Sequence, residues 1–65
     1  MRKFTIEGRW VDNKPQYTLW EGTEIIPMKE DVRLYQVYEY LRTIGKIVDV
    51  TRLGDLYRHV KVEEG

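Results

Sequence analysis

The sequence predicts a small two-layer α+β domain, in which one helix packs on an antiparallel sheet of four to five strands. Three patterns in the 65 residues predict it: apolar and polar residues alternate near both ends, turn residues separate these stretches, and one helical stripe lies between them. The expected element order is β-β-(β)-α-β-β, because one sheet covered by one helix buries that stripe most simply. We expect residues 1–65 to form a single small globular domain with a frayed tail at residues 63–65.

The first hairpin is predicted from alternation over residues 3–11. Its apolar side carries Phe4, Ile6 and Trp10. Gly8 falls on the same side, where a bulge or a close contact with Trp10 is expected. Turn residues at 12–15 then lead into a returning strand over residues 16–20.

Two interpretations remain for the segment that follows. Glu21 and Gly22 form a tight turn before a third strand over residues 23–26, or one long strand is bulged at Gly22. The separate strand is slightly favoured, and Pro27 ends this part of the sheet.

The helix is predicted over residues 30–44. Its stripe has spacings of three, four and three residues and consists of Leu34, Val37, Leu41 and Ile44. The acidic residues 30–31 suit the first turn, and Arg42 and Lys46 suit the other end, because the helix macrodipole favours charges of those signs there. Gly45 is expected to end the helix as a left-handed cap.

A second hairpin is predicted from a strand over residues 46–52, a turn at 53–55 and a strand over residues 56–63. Arg58 falls on the apolar side of the last strand, so it marks either the rim of the sheet or a bulge that shifts the register. The predicted core comprises Phe4, Ile6, Trp10, Leu19, Leu34, Val37, Leu41, Ile44, Val48, Val50, Val60 and Val62.

The composition argues against several classes of function. The chain has no cysteine, no serine and a single histidine, His59, so we expect no enzyme, no metal site and no cofactor. The net charge of zero argues against a protein that grips nucleic acid by bulk charge. We expect a cytoplasmic chain with no membrane partner, since no stretch approaches the roughly 20 apolar residues of a membrane span and the N-terminus is too polar for a secretory signal.

The outer face of the helix is the predicted partner-binding site. It is not cleanly polar, and its candidate anchors are Val32, Tyr35, Tyr38 and Arg42. Tyrosine and arginine often anchor protein interfaces, so this face predicts a non-enzymatic regulator, adaptor or inhibitor. The competing interpretation is that a loop or the tail covers these residues, or that they are scattered surface side chains.

Nucleic-acid binding through the open sheet face is the alternative function. Basic residues interleaved with aromatic ones can follow a phosphate backbone while stacking on bases. The candidate residues are Arg9, Trp20, Tyr57, Arg58, His59 and Lys61. An exposed edge strand also allows a second copy of the chain to pair with the first, so a homodimer is a further alternative.

Overall fold

The computed structural model describes residues 1–65, and its five strands form one antiparallel sheet that is partly covered by one helix, as predicted. The strand order in the sheet is β3-β2-β1-β5-β4. The helix is too short and insufficiently apolar to cross a membrane. The elements are β1 (Arg2–Val11), β2 (Lys14–Glu21), β3 (Glu24–Ile25), α1 (Leu34–Ile44), β4 (Gly45–Arg52) and β5 (Tyr57–Glu64).

Both turns on the β2 side of the sheet contain residues with positive φ. Asp12 and Asn13 have φ of 49° and 64° and join β1 to β2, which suits a two-residue hairpin turn. Gly22 has φ of 63°, and Glu21 pairs with Glu24 across the next turn. The separate third strand is therefore confirmed, and the single strand bulged at Gly22 is wrong.

The helix begins at Leu34, four residues later than predicted. The backbones of Tyr17 and Val32 exchange hydrogen bonds of 2.7 and 2.8 Å, so the segment after β3 continues along the edge of β2. Asp31 has φ of 54°, which no right-handed helix accommodates. Residues 30–31 therefore precede the helix, and its first turn contains no acidic residue.

The chain passes from α1 directly into β4 at Gly45. Its φ of 174° is extended, so the predicted left-handed cap is wrong. The glycine is needed for space, because a Cβ there would collide with the backbone of Glu63 and Glu64. Those two residues belong to β5 and pair with Lys46 and Gly45, so the predicted frayed tail is reduced to the last residue.

The buried core lies between the sheet and α1. Seven predicted members are buried: Phe4, Ile6, Leu19, Val37, Leu41, Val60 and Val62. Leu34 and Ile44 pack against the core but are only partly buried. Tyr17 and Ile26 belong to the core although they were not predicted.

Three predicted core residues are exposed: Trp10 (65%), Val48 (40%) and Val50 (40%). Trp10 is exposed because the helix is shorter than β1. Eleven helical residues span about 16 Å, whereas ten strand residues span about 33 Å. Val48 lies at the register shift of β4, and Val50 lies on this edge strand beside α1, which covers it only in part.

Two expectations for irregularities in the strands are corrected. The close contact at Gly8 is made by Tyr17, not Trp10, and β1 runs through Gly8 without a bulge. Arg58 pairs with Ile6 at an unshifted position of β5 and is 9% exposed, so it marks neither a rim nor a bulge there. The register shift of this hairpin lies in β4 instead, between Ile47 and Asp49.

Candidate functional site

A groove runs between α1 and β4 on the side of the sheet that carries the helix. Because β4 follows α1 without a loop, the two elements meet at one end, and Val50 farther along β4 is left uncovered. We call this surface the α1–β4 groove. It is lined by Tyr38, Arg42, Gly45, Lys46, Ile47 and Val50.

The helix supplies an aromatic and basic wall to this groove. Tyr38 and Arg42 are four residues apart, so they lie one turn apart on the same face. Tyr35 is three residues before Tyr38, continues the same stripe and is 60% exposed. Three of the four predicted partner-binding residues therefore share one stripe. Val32 is separate from them, because it precedes the helix, pairs with Tyr17 and packs against the core.

The groove is lined by basic but not by acidic residues. Arg42 and Lys46 are its only ionisable residues apart from Tyr38. Lys46 lies directly opposite Glu63 on the open side of the sheet, so Arg42 is the cation on the helix side. Farther along β4, Arg52 lies directly opposite Arg58 of β5. The ion pairs of the structure involve only Arg2 and Arg9 as cations, so these three arginines make none.

The outer edge of β4 is open. β4 is the last strand of the sheet and pairs only with β5. Val48 lies at the register shift and is exposed. An unpaired edge of this kind presents backbone N–H and C=O groups to any chain that approaches it.

The open face of the sheet gathers most of the predicted nucleic-acid residues. Thr5 pairs with Trp20 on one side and with His59 on the other, which places both side chains on this face. The Tyr57 and His59 rings lie 5.4 Å apart between centroids, with their planes inclined at 58°. Lys61 lies directly opposite Lys3. Asp49 lies opposite Lys61 on its other side, so this face is aromatic and carries charges of both signs.

Two members of the predicted nucleic-acid set do not fit this arrangement. Arg9 donates hydrogen bonds of 2.9 and 2.7 Å to the Asp31 carboxylate, and this contact raises the pKa of Arg9. Its charge is therefore already offset within the chain. Arg58 lies on the opposite face, buried beside Tyr17, and cannot act together with His59 or Lys61.

Trp20 is half-buried on the open face. It lies beside Thr5 and Ile25 in the sheet register, and its indole Nε1 is buried without a hydrogen-bond partner. The side chain is therefore held in the surface of the sheet. Its indole N–H is not available for contact with a ligand unless the ring moves.

The groove residues contributed by β4 were missed as site residues. Ile47 was not singled out, and Val50 was assigned to the core, because alternation indicates which side of a sheet a residue faces but not what covers it. Lys46 was expected only to complement the helix macrodipole. The available signal was the net basic character of residues 42–61, which includes the groove and the Arg52–Arg58 pair.

No group of three or more histidine, cysteine, aspartate or glutamate side chains is placed to hold a metal ion. The side chain of His59 makes no hydrogen bond within the chain, and its aromatic neighbour is Tyr57. No protein-family model matches the chain, and comparison with curated proteins and with solved structures found no significant match. The function is therefore argued from the two surfaces described above.

Proposed function

We propose that this chain is a small protein-binding module, a regulator, adaptor or inhibitor, and that the α1–β4 groove is its binding surface. The observation that carries the proposal is an exposed apolar floor next to a basic side chain that makes no ion pair. Val50 is 40% exposed in this floor, and Arg42 lines the groove beside it. Apolar surface flanked by unpaired polar groups is typical of a protein interaction site.

The shape of the wall supports this proposal. Tyr38 is half-buried, so its ring is already held in place and loses little conformational freedom when a partner binds. Tyr35 is mostly exposed one turn away and offers additional area. Tyrosine and arginine are enriched among the residues that dominate binding energy at protein interfaces.

The proposal is tested by capture on the immobilised domain, followed by binding of the purified captured protein. We expect Val50→Glu to weaken that binding at least tenfold, because the substitution places a charge in the apolar floor. Thr23→Glu is the matched control, since it adds the same charge at the exposed β2–β3 turn, near the edge of the sheet opposite to β4. Equal binding by wild type, Val50→Glu and Thr23→Glu would remove the groove as the binding surface.

Nucleic-acid binding by the open face is the second candidate function. The observation that favours it is the Lys3–Lys61 cross-strand pair beside the Tyr57 and His59 rings. Like charges directly opposite each other destabilise a sheet, and a phosphate would compensate them. Tryptophan fluorescence titrated with single- and double-stranded oligonucleotides tests this function. Phosphate contacts predict saturable quenching that weakens from low to physiological salt, and no quenching at low salt would rule the function out.

A further inference from the structure

Arg58 and Arg52 form a like-charge pair for which the chain supplies no counter-charge. They are direct cross-strand neighbours on the side of the sheet that carries α1. Arg58 is 9% exposed, and its Nη1 is buried without a hydrogen-bond partner. Such a pair destabilises the sheet, and an unpaired buried cation costs more still. The Arg58 guanidinium lies toward Tyr17 and away from the free edge of β4, so a carboxylate from outside the chain can meet only the exposed Arg52. That contact would offset the repulsion between the two cations.

The rest of the groove also favours a negatively charged occupant. Arg42 lies toward the end where the helix meets β4, and Arg52 lies at the far end of the strand. Lys46 lies opposite Glu63 and therefore faces the open side of the sheet. The apolar residues Ile47 and Val50 lie between these two basic ends. The arrangement is therefore basic, apolar, basic along the length of β4.

A second copy of this chain does not fit that pattern. Pairing of two β4 edges would bring Arg42 and Arg52 of both copies into one interface. The only carboxylate on β4 is Asp49, which lies opposite Lys61 and therefore faces the open side of the sheet. Charge repulsion at the groove thus disfavours the homodimer through this edge and favours a partner of opposite charge.

We propose that an extended acidic segment of a partner protein adds to the free edge of β4 as a sixth strand, with an apolar side chain in the α1–β4 groove and a carboxylate at Arg52. This inference rests on the proposed protein-binding function and specifies its partner. Main-chain hydrogen bonds to the open edge provide affinity, and alternate side chains provide specificity.

The strand geometry defines the recognised sequence pattern. Side chains on one face of a strand repeat every two residues, or about 6.6–6.8 Å. An apolar residue over Ile47 and Val50 therefore has its same-face neighbours two positions before and two positions after it. Those neighbours lie toward Arg42 at one end and Arg52 at the other. The expected pattern is acidic-x-apolar-x-acidic, with β-branched residues such as threonine at the outward positions.

The probe is a terminally blocked, fluorescein-labelled peptide, Gly-Ser-Thr-Glu-Thr-Ile-Thr-Glu-Thr-Ser-Gly, measured by anisotropy against the whole domain. The first control replaces both glutamates with glutamine. The second control keeps the composition but places the two glutamates side by side. We expect saturable binding of the probe and at least tenfold weaker binding of both controls.

Variants of the domain locate the site. Arg52→Gln is expected to weaken probe binding three- to tenfold, because it removes one end of the charge pattern without disturbing a buried residue. Lys14→Gln removes the same charge at the exposed β1–β2 turn and is expected to leave binding unchanged. Equal effects of the two substitutions would mean that the peptide responds only to net charge, and would overturn the assignment to this groove.

Methylation of the peptide backbone tests the added strand itself. Successive N–H groups of a strand point to opposite edges, so N-methylation of two adjacent central residues, one at a time, blocks one edge or the other. Strand addition predicts that one isomer loses at least tenfold in affinity and that the other binds like the parent peptide. Unchanged affinity of both isomers would overturn strand addition.

The outcomes separate this inference from the proposed function. If a captured partner depends on Val50 but the acidic probe binds no better than its glutamine control, the acidic strand is wrong and the protein-binding groove stands. If neither the captured partner nor the probe depends on groove residues, both proposals fall.

Discussion

The guanidinium carbon of Arg58 lies 5.8 Å from the centre of the Tyr17 ring, on the side of the sheet that carries α1. The Tyr17 ring also covers Gly8, its cross-strand neighbour. A cation over an aromatic face is attracted to it, and this offsets part of the cost of burying a guanidinium with no anionic partner. The three residues therefore form one stack, in which a change at one affects the other two.

Replacement of the buried cation is expected to stabilise the domain. Arg58→Met keeps much of the side-chain volume and removes the buried charge, so we expect a gain of about 1 kcal/mol in the free energy of unfolding. Urea denaturation measures this change in the free energy of unfolding. The control is Arg52→Met, the same substitution at the exposed cross-strand neighbour. A loss of similar size would show that the contact with Tyr17 outweighs the desolvation cost.

We expect that no side chain can be introduced at Gly8 unless the Tyr17 ring moves. A Cβ on Gly8 would lie 2.7 Å from Cε2 of Tyr17, so Gly8→Ala must displace the ring. We expect a loss of about 1–3 kcal/mol, the usual range for overpacking a core. Gly65→Ala is the control, since nothing lies within 4 Å of its Cβ position.

A double-mutant cycle tests the link between Gly8 and Arg58. Because displacement of the Tyr17 ring also removes the cation–π contact, the effects of Gly8→Ala and Arg58→Met are not expected to add. Additive effects would show that Tyr17 can move away from Gly8 without leaving Arg58.

Gly45 is expected to be the least replaceable glycine of the chain. The atoms that a Cβ would meet belong to the backbone of Glu63 and Glu64, which cannot rotate away as a side chain can. Gly45→Ala must therefore separate β4 from β5 at this end, and we expect a loss of more than about 3 kcal/mol. Gly22→Ala has open space around it but a φ of 63°, so a cost of only about 1–2 kcal/mol is expected there. Similar losses for both variants by urea denaturation would contradict the steric explanation.

Alternation in the sequence predicted which side of the sheet each strand residue faces, but not whether the helix covers that residue. Phe4, Ile6 and Val60 were placed correctly because they lie where α1 passes over the sheet. Trp10 and Val50 face the same side, but Trp10 lies beyond the helix and Val50 lies beside it on the edge strand. No local pattern reveals how much of the sheet a helix of eleven residues will cover.

The helix start and half of the groove depend on contacts between distant parts of the chain. The periodic stripe predicted the end of α1 within a residue, whereas its start is displaced because Val32 pairs with Tyr17 of β2. The helix stripe likewise predicted Tyr38 and Arg42. Their β4 neighbours become part of a site only once the tertiary fold leaves them uncovered, so a helical pattern alone could not identify them.

The two tryptophans are expected to differ in access to solvent. Trp10 is 65% exposed, whereas Trp20 is half-buried and its Nε1 is not reached by solvent. In the single-tryptophan variants Trp20→Phe and Trp10→Phe, acrylamide is expected to quench the remaining Trp10 at least twofold more efficiently than the remaining Trp20. Equal quenching would show that Trp20 does not occupy its position on the open face in solution.

The contact between Arg2 and Glu21 predicts how stability depends on pH. Arg2 donates hydrogen bonds of 2.9 and 2.6 Å to the two carboxylate oxygens of Glu21, and this contact lowers the pKa of Glu21 from its ordinary value of 4.5. The folded chain then binds fewer protons at this site than the unfolded chain does. The stabilisation is therefore complete well above pH 4.5 and is lost as the pH falls through the lower pKa of the folded state.

Glu21→Gln removes this contribution. We expect wild type to be more stable than Glu21→Gln at pH 7 and the difference to shrink at pH 3, as measured by urea denaturation at both pH values. Both side chains are about one third exposed, so the difference is small and decreases further with added salt. Glu7→Gln is the control and is expected to show no such difference, because it removes an exposed carboxylate that has no ion pair and whose cross-strand neighbours are Thr18 and Tyr57. A difference between wild type and Glu21→Gln that stays constant from pH 7 to pH 3 would contradict the lowered pKa.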